Sequence, residues 1–195
     1  MTTGMRWRVL VLQAGLIGIL VFCAGFLFWG NSFIHDQIST ELKAQQIYFP
    51  PANSPAIASL PSADATAMNV YGGQQLTTGA QAQVYANSFI NVHLSEVAGG
   101  QTYAQVSTKA QANPTDTKLA GQVQTLFRGE TLRGLLLNAY GWWTIGTYAL
   151  YAAIGLALAA FVVLGALALE IFLAVREPRK VKASMLASKP QRVIA

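Results

Sequence analysis

Two long apolar runs dominate the pattern of hydrophobic and polar positions. The first, Val9 to Trp29, is broken only by Gln13. At a rise of ~1.5 Å per residue it makes a helix of roughly 31 Å, about one hydrocarbon core. The second runs from Trp142 to Val175 with a single charge, Glu170. Its helix of ~50 Å exceeds what a bilayer needs. Trp142 and Trp143, with Tyr148 and Tyr151, mark an interfacial end, so the spanning part is expected over about Thr147 to Leu169.

Between the runs the pattern is helical and thinner. Phe33, Ile34, Ile38 and Leu42 keep one face from Asn31 to Gln46, so the first helix is expected to project beyond its apolar run. Tyr48-Phe49-Pro50-Pro51 ends it. Residues 50–61 hold four prolines among small residues and read as an extended connector. A helix resumes near Thr78, with Tyr85, Phe89 and Val92 on one side, and stops at Gly99-Gly100. A weaker one covers Gln101 to Ala112 through Tyr103, Val106 and Ala110. Asn113-Pro114-Thr115-Asp116 reads as a helix start, with Asn113 as cap and Pro114 in the first turn. Leu119, Val123, Leu126, Phe127, Leu135 and Leu136 carry that helix to Tyr140, where Gly141 either separates it from the second run or bends it. No alternating strand pattern and no repeat is visible. The expected fold is an all-α membrane protein: two transmembrane helices with a helical extracytoplasmic domain between them.

Composition supports this. Charged residues make up 11% of the 195, where soluble domains carry about 25%. The basic residues Arg6 and Arg8 before the first run resemble the start of a signal peptide, but a signal's apolar core is only ~7–15 residues long. The run here continues through Phe26, Leu27, Phe28 and Trp29, so an uncleaved anchor is expected. The segment Gly30 to Gly141 has five basic residues against six acids. The tail from Arg176 has six basic residues (Arg176, Arg179, Lys180, Lys182, Lys189, Arg192) against Glu177. Positive-inside reasoning places both termini in the cytoplasm. The expected segments are a stub at 1–8, a span at 9–29, an extracytoplasmic domain at 30–141, a span with an aromatic start at 142–175 and a basic tail at 176–195. The net charge of +5 is then an orientation signal and no sign of nucleic acid. The tail is also suited to anionic headgroups, and too short for a kinase or nucleotide-handling domain.

Candidate chemistry is sparse. Metal catalysis needs several His, Cys or carboxylate groups to converge, and the chain has two histidines, His35 and His93, and one cysteine, Cys23. His93 and Glu96 share an i,i+3 spacing that is common by chance, so no metal and no cofactor is expected. No G-x-S-x-G or phosphate loop is present, and the chain reads as a non-enzyme. Glu170 in the second run invites a polar partner, and an antiparallel hairpin brings Gln13 or Arg8 to its depth. Small residues suit helix packing: Ala14, Gly18 and Gly25 on the first run, Gly155 with Ala159 on the second, beside a stripe of Ala149, Ala153 and Ala157. They serve the packing of the two spans, a homodimer, or a larger membrane partner.

The stretch Thr125 to Trp143, TLFRGETLRGLLLNAYGWW, with GAQAQVYANSFINVHL before it and IYFPP after the first helix, resembles small actinobacterial two-span membrane proteins over most of the chain. Some of these are labelled aromatic ring-opening dioxygenases, which would imply a non-haem iron site of two His and a Glu. No such triad is legible, and no catalytic residue carries over. Within the signature, Phe127, Arg128, Gly129, Glu130 and Arg133 are the expected interaction segment. Gly129 and Gly134 there could admit close approach by the first helix or a partner, and packing within the monomer is the plainer alternative. The functional expectation is an accessory or interaction subunit of the envelope. The alternative is a minimal small-molecule sensor with Tyr85, Phe89 and Tyr103 lining its pocket.

Overall fold

The computed structural model describes the backbone of residues 3–187 and the side chains of residues 5–176. The basic residues expected beyond Arg176, with Glu177, lie outside the described side chains. In chain order the described elements are α1 (Thr3–Ala44), α2 (Pro55–Ala58), α3 (Ser62–Asn69), α4 (Gly79–Val84), a π-helical turn (Tyr85–Ile90), α5 (Asn91–Val97), α6 (Tyr103–Ala112) and α7 (Thr117–Ala187). Among the described residues there is no strand, only an antiparallel bridge between Tyr48 and Gln75. Both α1 and α7 hold a stretch long and apolar enough to cross a membrane. Packing divides the chain into an apolar unit, residues 1–29 with 150–195, and an intervening unit, residues 30–149.

The intervening unit has two apolar clusters. The larger gathers Leu42, Phe49, Ile57, Met68, Leu76, Ala86 and Leu136, among others. The smaller joins Leu94, Ala98, Val106 and Leu126. Residues 50–61 are not the extended connector their prolines suggest. Pro55 opens α2, where a missing N–H costs nothing, and Ile57 and Leu60 are buried in the larger cluster. Here proline starts a helix rather than breaking one. The helix α3 has too little apolar character to show a period, yet it buries Met68 completely.

The stretch from Gly79 to Val97 explains its own irregularity. Its inward positions, Ala82, Ala86, Ile90, Leu94 and then Ala98, recur every four residues. An α-helix turns about 100° per residue, so each step of four drifts about 40° from the face it should hold. One wider turn, Tyr85–Ile90, lets the drift be absorbed. Thr78 caps this stretch: its side chain accepts from Gln81 N while Gln81 Oε1 accepts from Thr78 N at 3.0 Å.

The start of α7 lies three residues later than the Asn-Pro pair implies. Asp116 is the residue that accepts there, its Oδ1 taking Lys118 N at 2.9 Å and Leu119 N at 3.0 Å. Asn113 instead closes α6, donating from Nδ2 to Lys109 O at 3.0 Å. Gly141 does not separate two helices, because α7 runs through it for 71 residues. One glycine costs about 1 kcal/mol in a helix, too little to break a strongly helical neighbourhood.

In the apolar unit, Gln13 Nε2 donates to Glu170 Oε1 at 3.3 Å. Ala153 and Ala160 are buried, and Ile17, Val21, Ala24, Ala157, Ala160, Phe161 and Leu164 enclose an apolar groove of about 150 Å³. The contact therefore uses the line Gln13–Ile17–Ala24 on α1 and Ala153–Ala157–Ala160 on α7. The small residues Ala14, Gly18, Gly25, Gly155 and Ala159 do not mediate it; all five are exposed, and a Cβ on any of the three glycines would meet nothing within 4 Å. The reason is rotational: once Gln13 faces Glu170, Ala14 is turned about 100° away.

Candidate interaction surface on the intervening unit

A polar clamp within the intervening unit joins α1 to α7. Asn31 is buried and donates from Nδ2 to Gly146 O at 2.9 Å. One turn on, the His35 ring stacks on Trp143, with centroids 3.9 Å apart and planes 7° apart. His35 Nε2 lies 3.0 Å from Trp143 O, and a carbonyl only accepts, so Nε2 carries a hydrogen. Its Nδ1 then faces the Asn31 amide at 3.5 Å, and Thr147 Oγ1 stands 3.4 Å from Nε2 while donating to Trp143 O. Close approach is built in: a Cβ at Gly146 would come within 2.9 Å of His35, and one at Gly79 would overlap the base of the Trp143 side chain. Both ring nitrogens are occupied, so His35 is a fastener. The sequence reading missed this set. Its signal was Asn31 and His35 at i,i+4, facing one way just past Trp29.

His93 does not approach a carboxylate pair. Its Nδ1 donates to Phe89 O one turn back, at 2.7 Å. Among the described residues no group of three or more His, Cys, Asp or Glu converges. The aromatic trio proposed for a ligand pocket is likewise divided. Tyr85 and Phe89 pack together on the larger cluster with centroids 5.1 Å apart, while Tyr103 lies on Phe127 at 5.9 Å. Burial raises the pKa of Tyr85 above its ordinary value.

The expected segment 127–133 splits between two faces of α7. Gly129 sits against Leu94 of α5, where a Cβ would overlap the leucine methyls. Gly134 opens to empty space. Arg133 turns inward, giving Nη1 to Glu130 Oε2 and Nη2 to Asn87 Oδ1 of the π-turn, both at 3.3 Å. Its Nε is buried without a hydrogen-bond partner. Phe127 and Arg128 point away from the core, and Phe127 is 54% exposed.

That outward face continues along the helix. At about 100° per residue, Phe127, Gly134, Leu135, Asn138, Trp142 and Ile145 fall within a sector of about 100°. Leu135 is 64% exposed, Trp142 52% and Ile145 51%. Leu126 and Leu136, on the opposite side of the same helix, are 1% exposed. A groove of about 240 Å³ runs beside the stripe, between Leu135, Asn138 and Trp142 on α7 and Gln37, Ile38 and Glu41 on α1. Asn138 and Ile145, which sequence reasoning did not single out, belong to this surface, as does Leu135, grouped there with Leu126 and Leu136 but facing the other way. No family model, no curated protein and no solved structure matches the chain.

Proposed function

We propose that this chain is an integral membrane protein of the cell envelope that works without catalysis, as an accessory or interaction subunit. Both termini are cytoplasmic and residues 30–141 are displayed outside. Support for the membrane comes from the apolar unit, whose exposed side chains include Leu12, Leu16, Ile19, Phe22 and Phe26 over a sector of about 120° of α1, away from its contact with α7. Such a surface suits contact with lipid. Trp7 and Trp29 flank it about 33 Å apart along the helix, the spacing of two interfacial belts. The Arg176 guanidinium over Phe172, 4.4 Å from its centroid, suits the cytoplasmic rim.

The observation that carries the interaction reading is the α7 stripe. Isolated exposed leucines are ordinary, but Phe127, Leu135, Trp142 and Ile145 aligned on one helix face form a patch that associates. The experiment is chemical crosslinking in native membranes, extraction in mild detergent and identification of what stays bound. A stoichiometric protein, or a second copy, is expected with crosslinks around 118–142, and Leu135→Lys should release it. Recovery of nothing but the monomer, with Leu135→Lys unchanged in every property, would defeat the reading.

A further inference from the structure

We infer that the occupant of the α7 stripe is a second copy of this chain, packed in parallel; this rests on the interaction reading above and names its partner. Two copies anchored in one membrane with the same orientation must present α7 in the same direction. A two-fold contact between them is isologous, so the face has to complement itself at equal height. The stripe meets that condition in three independent ways.

Its centre is uncharged, with Thr131 and Asn138 among apolar neighbours. Gly134 leaves open space for a neighbouring backbone, with exposed Leu135 beside it and Phe127, one of whose sides lies on Tyr103, two turns below. Asn138, exposed at the middle of the stripe, both donates and accepts. In parallel helix pairs an amide in the seam bonds its own counterpart and fixes a dimeric register. The flanks carry opposite charges two residues apart, the Glu130 carboxylate keeping one oxygen on Arg133 of its own chain and leaving the other free to accept. Arg128 lies about 100° to one side of Phe127 and Glu130 about 60° to the other. Facing a parallel copy, Arg128 of one chain meets Glu130 of its neighbour on both edges, the arrangement that sets orientation in coiled coils. An antiparallel or unrelated helix has no reason to satisfy all three.

The test uses the full chain in native membranes with the single native cysteine removed (Cys23→Ser). Single cysteines are introduced at Gly134 and Asn138 on the stripe, and at exposed Thr125 outside it as control. Oxidation is expected to give a disulfide-linked dimer several-fold more abundant from Gly134→Cys and Asn138→Cys than from Thr125→Cys. Adding Arg128→Glu should lose the dimer band and Arg128→Lys should keep it, with helical content by circular dichroism unchanged in both; a band unaffected by Arg128→Glu would overturn the charge pairing. Equal crosslinking at all three positions, or none at the stripe, overturns the homodimer. If the stripe then crosslinks to a different protein, the interaction reading survives without it. If the stripe crosslinks to nothing, both fall.

Discussion

Glycine in α7 illustrates how one residue type carries opposite roles at neighbouring positions. Gly129 lies against Leu94, whose methyls occupy the volume a Cβ would need. Gly121, two turns earlier, meets nothing within 4 Å. Helix propensity alone favours alanine over glycine by about 1 kcal/mol at both. At Gly129 overpacking of the smaller cluster opposes this with a cost of about 1–3 kcal/mol. Gly121→Ala is therefore expected to stabilise the intervening unit, and Gly129→Ala to destabilise it unless Leu94 is shortened too. Thermal unfolding of the detergent-solubilised protein followed by circular dichroism reads the sign directly. Gly129→Ala alone raising the midpoint would show that Leu94 moves aside freely. The glycines themselves were conspicuous in the sequence. Which of them faced a neighbour was not, because that depends on Leu94, thirty-five positions away.

Helices and their ends were legible to the extent that one local signal settled them. The apolar runs of α1 and α7 needed only hydropathy, and Thr102 opens α6 with the same reciprocal capping seen at Thr78. The π-turn was hidden because a spacing of four is so near 3.6 that it passes for an ordinary helix over two turns, and betrays itself only over the five positions from Ala82 to Ala98. The clamp was hidden for another reason: the acceptors of Asn31 and His35 are backbone carbonyls of α7, which no side-chain motif advertises. Its energetics are testable at this scale. Asn31→Ala removes a buried donor to Gly146 O and is expected to cost about 1–3 kcal/mol. His35→Ala loses a ring stack worth about 0.5–1.5 kcal/mol as well as a hydrogen bond. Because Asn31 also faces His35 Nδ1, the double variant should cost less than the two losses combined. Strict additivity in a double-mutant cycle would mean that Asn31 and His35 act independently and that the clamp is two separate contacts.

Across the whole molecule, the proposed orientation rests on where charge falls along the sequence. Arg6 and Arg8 precede the first apolar run, the segment 30–141 is nearly balanced, and the last twenty residues are strongly basic. With both apolar runs spanning, only one arrangement keeps the basic ends on the cytoplasmic side. The bond from Gln13 to Glu170 adds a reason for the first run to stay attached. Without it, the Glu170 carboxylate would lose its polar neighbour at the apolar surface, a cost that membrane helices avoid by pairing. Three observations on cells expressing the protein follow. Intact mass should include residues 1–29, since a cleaved leader would remove Gln13 and the α1 side of the apolar unit. In the Cys23→Ser background, a cysteine at exposed Ser59 should react with a membrane-impermeant maleimide on intact cells. A cysteine at exposed Met5 should react only after permeabilisation. Labelling of both positions on intact cells, or a mature mass lacking the first run, would refute the two-span topology. The α7 stripe would then need reinterpretation, because the parallel geometry that makes it self-complementary is imposed by two copies sharing one membrane and one orientation.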